Sequence, residues 1–245
     1  MNSALTQVLE RGDIRRGDAF AAAPAPTLAT GFPRLDAELP GGGWPRGALT
    51  ELLAEHSGIG ELALLLPALA ALTAAGRTVV LVAPPHGAHA PAWAAAGIRL
   101  DCLRLVLPRR PRDALWAGVE ALRCGGVAAT LLWLDGLFRG QLPANSLRRL
   151  HVAAGEGGGG AFCFRPAQQA REASPAPLRL QLQAAQGGSG QLRVTLLKRR
   201  GPPARQPLLL DIARPARFSQ AASHAVAGAV LPDAAASRRR DRVAA

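Results

Sequence analysis

Ala54-Glu55-His56-Ser57-Gly58-Ile59-Gly60-Glu61-Leu62 stands where an apolar run gives way to a stretch of small residues, the place a phosphate-binding loop takes at the end of a strand. Such a loop needs G-x-x-x-x-G-K-[ST]. Its glycines let backbone N–H groups converge on phosphate oxygens, its lysine neutralises their charge, and its hydroxyl holds Mg²⁺. With Gly60 as the last loop glycine, Glu61 stands for the lysine and Leu62 for the hydroxyl. Shifting the frame by one puts Gly60 and Glu61 at those two positions, and neither register is functional. A carboxylate there repels phosphate, by about 1 kcal/mol at ~4 Å in bulk water and by more where water is excluded. The one lysine of the chain is Lys198, far from the loop in sequence. Ser57, Gly58 and Gly60 retain N–H groups that could face an anion, but a tight strand-to-helix turn accounts for them as well and is the favoured reading.

Other candidates are sparser. Asp135 ends the apolar run Ala128–Leu134, a position that can hold a metal, although an isolated strand-end carboxylate more often caps a backbone or pairs with an arginine. His86 and His89 have no neighbouring Cys or carboxylate to complete a zinc set. Cys102, Cys124 and Cys163 form no C-x-x-C pair and read as reduced, buried residues. No catalytic residue, metal or cofactor is expected.

The basic residues fall in clusters: Arg109, Arg110 and Arg112; Arg148 and Arg149; Lys198, Arg199 and Arg200; and Arg238, Arg239 and Arg240. With a formal charge of +12 over 245 residues they suit an anionic partner, nucleic acid or an acidic protein surface. Charge runs are also commonly just solvated faces. Aromatic support for base stacking looks thin, because Trp93, Trp116 and Trp133 lie on segments expected to be buried and Trp44 alone sits in a turn expected to be exposed. Any DNA contact is therefore expected to be weak and non-specific.

The elements that would position these residues alternate between strand and helix. Strands are expected at Ala48–Ala54, Arg77–Ala83, Leu103–Leu107 and Ala128–Leu134. Helices are expected at Glu61–Ala75, bent at Pro67, at His89–Gly97, at Arg112–Cys124, and from a cap at Asn145 to about Ala154, with the Gly157–Gly160 run as its flexible end. This grammar builds a mainly parallel sheet flanked by helices. The pattern then changes: Ala161–Arg165 is a short strand, Leu178–Ala185 and Gln191–Arg199 alternate with period two about QGGSG, an antiparallel hairpin, and Leu208–Ile212 is a last strand. Residues 1–29 read as a short amphipathic arm and a Pro/Ala linker, 30–213 as the core, and 214–245 as a basic tail without core patterning. The 49% hydrophobic content fits a packed α/β domain. The longest apolar run, Leu62–Ala75, is shorter than a membrane span and contains Pro67. A cytoplasmic protein is expected, as the first residues lack a secretory apolar region.

In order, Thr30-Gly31…Leu35-Asp36, Gly42-Gly43…Pro45…Gly47, the loop after Ala48–Ala54, the strand ending in Asp135, and the late hairpin ending Lys198-Arg199-Arg200 resemble the RecA-like P-loop NTPase core over about Thr30 to Ile212. Pro84-Pro85-His86 replaces the Glu that activates water in the recombinases. Together with the arm LERGDIRRGD, the G-x-G-E-L segment and the basic tail, this resembles the ImuA family of RecA-like accessory proteins in SOS-induced translesion synthesis, which is related to SulA. The resemblance implies a non-catalytic protein meeting an ImuB-type polymerase relative, an error-prone C-family polymerase and RecA. The alternatives are an ATP-dependent DNA-binding recombinase mediator and a SulA-like cell-division inhibitor.

Overall fold

The computed structural model describes residues 26–87, 89–138, 142–185, 190–202 and 206–212. The expected N-terminal helix, the turn of the late hairpin and the basic tail with Arg238, Arg239 and Arg240 lie outside these residues.

The strands are β1 (Thr27–Leu28), β2 (Trp44–Pro45), β3 (Ala48–Ala54), β4 (Thr78–Val82), β5 (Leu103–Val106), β6 (Val127–Trp133), β7 (Gly160–Pro166), β8 (Leu178–Ala184), β9 (Gln191–Lys198) and β10 (Leu208–Asp211). The helices are α1 (Pro33–Asp36), α2 (Leu66–Ala74), α3 (Ala90–Ala95), α4 (Pro111–Arg123) and α5 (Ser146–Gly157). Strands β3 to β10 form one sheet in the order β10-β9-β8-β3-β7-β6-β4-β5. From β8 to β5 every pairing is parallel, and β9 and β10 add an antiparallel edge. The result is a mostly parallel, helix-flanked mixed sheet, as the alternating grammar implied.

The central strands read as unbroken apolar runs because both of their faces are covered. On one face Leu52, Leu81, Leu131 and Phe162 pack with α1 to α3 through Leu35, Leu69 and Trp93. Their chain neighbours Val82, Leu132 and Cys163 point to the other face and meet Leu115, Val119 and Leu150 of α4 and α5.

Several expectations are corrected. The helix expected from Glu61 begins at Leu66, and Pro67 sits in its first turn, where a missing N–H costs nothing, rather than bending it. Asn145 precedes α5 but adopts φ 63° and makes no side-chain cap. The Gly157–Gly160 run is a close-packed junction instead of a flexible end: a Cβ on Gly157 would lie 1.9 Å from the Leu122 carbonyl oxygen. Thr27, expected in the linker, pairs with Pro45 in the small β1–β2 ribbon. That ribbon carries Trp44 into the core, 0% exposed and edge-on to Phe162 at 5.5 Å, so the turn expected to display it buries it. Trp116, expected to be buried, is 63% exposed, because α4 turns Leu115 and Val119 inward instead. Cys124 is likewise exposed.

Candidate functional site

The loop after β3 and the residue after β6 come together at the carboxyl ends of the parallel strands, the edge where open α/β sheets bind ligands. A cleft of about 470 Å³ opens there, lined among others by His56, Ser57, Glu61, Pro84, Asp135 and Arg165. Trp133 and Phe164, stacked at 4.5 Å with their rings almost parallel, supply apolar wall.

Glu61 decides the state of the loop. Its carboxylate accepts the Gly58 N–H at 3.0 and 3.1 Å and the Gly60 N–H at 3.1 Å. The loop therefore does converge its N–H groups on an anion, and that anion is its own side chain. Gly58 and Gly60 take φ of 89° and 104°, which a side chain would resist, and a Cβ on Gly60 would lie 2.0 Å from Ile212 Cδ1. Ile59 is buried in the same cluster as Leu210 and Ile212. Ile212, just past the end of the edge strand β10, thus packs directly against the loop. The Ser57 backbone belongs to the same turn.

Asp135 is engaged as well. Arg165 Nε lies 3.1 Å from its Oδ2, and Arg165 Nη2 lies 3.2 Å from its Oδ1. Arg165 Nη1 reaches Glu51 Oε1 at 3.0 Å, and Glu51 Oε2 accepts Arg179 Nε at 2.5 Å. The strand order β8-β3-β7-β6 lines up Arg179, Glu51, Arg165 and Asp135 as alternating charges, with Glu51 directly opposite Arg179 in the register. The remaining Arg179 donors go to the carbonyls of Gln169, Ala170 and Glu172, in and just after a 3₁₀ turn at Ala167–Arg171. Burial pushes the Asp135 carboxyl above its ordinary range against the pull of Arg165. Burial also acts to lower the Arg165 pKa, but the carboxylates of Asp135 and Glu51 outweigh it and hold the guanidinium charged. The Cys163 thiol beside them is driven up by burial and by the same two carboxylates, which leaves it without thiolate character.

This chain of charges was not legible as a site. Glu51, Arg165 and Arg179 are single charged residues inside apolar strands, and that isolation is the signal that could have found them. Among the described residues no group of three or more His, Cys, Asp and Glu could hold a metal, and no helix is long and apolar enough to cross a membrane.

No family model matches the chain. No curated protein matches it either.

The basic clusters are not brought to the cleft as one surface. Lys198 Nζ donates to the Ser174 carbonyl at 2.9 Å, and Arg199 holds Glu38 at 2.8 Å, so two of that trio are tied into loops of the core. Arg200 lines a small cavity of about 140 Å³ with Thr27 and Pro45. Arg110 and Arg112 both approach Asp113, at 2.8 and 3.8 Å, and Arg109, Arg148 and Arg149 are exposed. The Thr30…Asp36 motif turns out to be scaffolding. Asp36 Oδ1 accepts the Thr30 N–H at 3.0 Å, and Gly31 lies so close to α2 that a Cβ would come within 2.3 Å of Pro67 Cβ.

Proposed function

We propose that this chain is a RecA-like protein whose nucleotide seat has become structural, and that it acts by contacts with other macromolecules rather than by phosphoryl transfer. The observation that carries the reading is the Glu61 carboxylate hydrogen-bonded to Gly58 and Gly60 inside the loop. A γ- or β-phosphate would have to displace that carboxylate and then face it. The Asp135–Arg165 pair supports the same reading, since a cation at Asp135 would have to compete with a guanidinium already in place. The RecA-like assignment is supported by the order of elements and by the meeting of the β3 loop and the β6 acid at one sheet edge.

Joined to the ImuA resemblance, the role proposed is that of an accessory protein in SOS-induced translesion synthesis. Its partners would be an ImuB-type polymerase relative, an error-prone C-family polymerase and RecA. The test is a titration of the intact protein with a fluorescent ATP analogue and Mg²⁺, with phosphate release followed in parallel and co-purification from cells after DNA damage. No saturable nucleotide binding together with recovery of the polymerase relative is expected. Saturable binding with DNA-stimulated phosphate release would overturn the reading in favour of an ATP-dependent recombinase mediator.

A further inference from the structure

Trp116 is the one tryptophan that the fold turns outward; Trp44 and Trp93 are buried and Trp133 is half-buried against Phe164. It stands one turn beyond Arg112 on the outer face of α4. α4 and α5 lie side by side and run in the same direction, because Gly118 faces Leu150, Arg123 Nε pairs with Glu156 Oε2 at 2.7 Å, and Gly157 abuts Leu122. The same register brings Trp116 level with the first turns of α5, where Arg148 and Arg149 are exposed.

Charge on this outer surface is distributed unevenly. Toward the carboxyl ends, Arg123 is answered by Glu120 and Glu156. Toward the amino ends, Asp113 is the only carboxylate in the first halves of the two helices, against Arg109, Arg110, Arg112, Arg148 and Arg149. Asp113 already serves both Arg110 and Arg112, and Arg109 has no carboxylate partner among the described residues.

We infer that the amino-terminal outer face of α4 and α5 is a binding site for single-stranded nucleic acid, with a base stacked on the Trp116 indole and backbone phosphates held by the flanking arginines. A flat indole on a convex helix suits an unstacked base, whereas a duplex keeps its bases inside the stack and offers only phosphates to such a surface. One aromatic among several arginines gives contact without base-edge readout, so the site is indifferent to sequence. Leu107 and Pro108, just before its Arg109, line the cleft beside the loop, but the site is built from α4 and α5 and does not depend on how that loop is read.

The experiment titrates the full-length protein with a 20-nucleotide single-stranded DNA, the same sequence as RNA, and the corresponding duplex, reading tryptophan fluorescence and its quenching by acrylamide. Single strands should quench Trp116 emission and shield it from acrylamide. Trp116→Ala should weaken single-strand binding by about 5- to 160-fold, the range of one lost stack, with an unchanged melting temperature. Arg148→Ser/Arg149→Ser should lower the slope of log K against log salt by about 1.4. The arms with DNA and RNA tell which strand is preferred. Wild-type affinity in Trp116→Ala, tighter binding to the duplex, or capture of acidic protein without any oligonucleotide binding would each overturn the proposal. The tail arginines are untouched in these variants, so binding carried by the tail would leave both unaffected and would count against it.

Discussion

Arg165 grips Asp135 with two nitrogens, Nε at 3.1 Å from Oδ2 and Nη2 at 3.2 Å from Oδ1, and the two side chains are 2% and 4% exposed. A third nitrogen of the same guanidinium holds Glu51. One arginine thus neutralises an acid on β3 and an acid just past the end of β6, two strands that are not neighbours, and the strand between them, β7, is the one that carries it.

Removing that arginine should be costly. Arg165→Met leaves Asp135 and Glu51 facing apolar surroundings, with Arg179 as the remaining cation, and breaking a buried pair from one side costs about 3–5 kcal/mol. Urea denaturation should show that loss, whereas Asp135→Asn/Glu51→Gln/Arg165→Met together should recover part of it. Equal losses in the single and triple variants would mean the charges are not coupled.

The plug in the loop makes a separate prediction. Glu61→Ala removes the acceptor for three hydrogen bonds on a largely exposed turn, and about 1–2 kcal/mol of stability should go with it. The variant should bind inorganic phosphate or sulfate more tightly than the wild type, as measured by calorimetry. Unchanged anion affinity would show that the carboxylate does not hold the seat.

Acid should weaken the fold through His151. Its Nδ1 accepts the Leu49 N–H at 3.3 Å, and burial first, then the charges of Arg200 and Lys198, hold its pKa below the ordinary value of 6.5. A group with a lowered folded pKa contributes stability that is fully present above the unfolded pKa and is lost as pH falls through the folded one. The stability advantage of wild type over His151→Gln should therefore shrink as pH drops from about 7.5 toward 5. An advantage that stays constant across this range would remove His151 from the account.

Two backbone positions should respond in opposite directions. Ala83 is held at φ 54°, a conformation that costs a non-glycine residue about 1–2 kcal/mol, so Ala83→Gly should raise the melting temperature slightly. Gly60→Ala should lower it, and Ile212→Ala should rescue the contact part of that loss but not the part due to φ. Full rescue would show that the clash with Ile212, and not the backbone angle, requires the glycine.

Truncation after Arg214 tests whether the core closes at Ile212, whose N–H is bonded to the Gly190 carbonyl at 2.8 Å. The melting midpoint should stay nearly unchanged while recovery of the proposed protein partners falls. Unfolding of the truncated chain would place the tail within the core.

Much of the scaffold was written locally. The runs at Ala48–Ala54, Thr78–Val82 and Val127–Trp133 are mostly apolar on both faces and too short for core helices, so they read as buried strands, and the period-two alternation of Gln191–Lys198 marked a strand with one wet face. That the loop after Ala54 holds Glu61 and no lysine was also plain from residue order alone. What the folded chain decided was where each side chain's partner lies. Glu51 and Arg179 are far apart in sequence and meet because β8 pairs with β3, and Asp135 meets Arg165 because β7 lies beside β6. Trp44 and Trp116 exchanged their expected places for the same reason. A local pattern fixes which residues share a face, but whether that face is covered depends on the element packed over it, and that element comes from elsewhere in the chain.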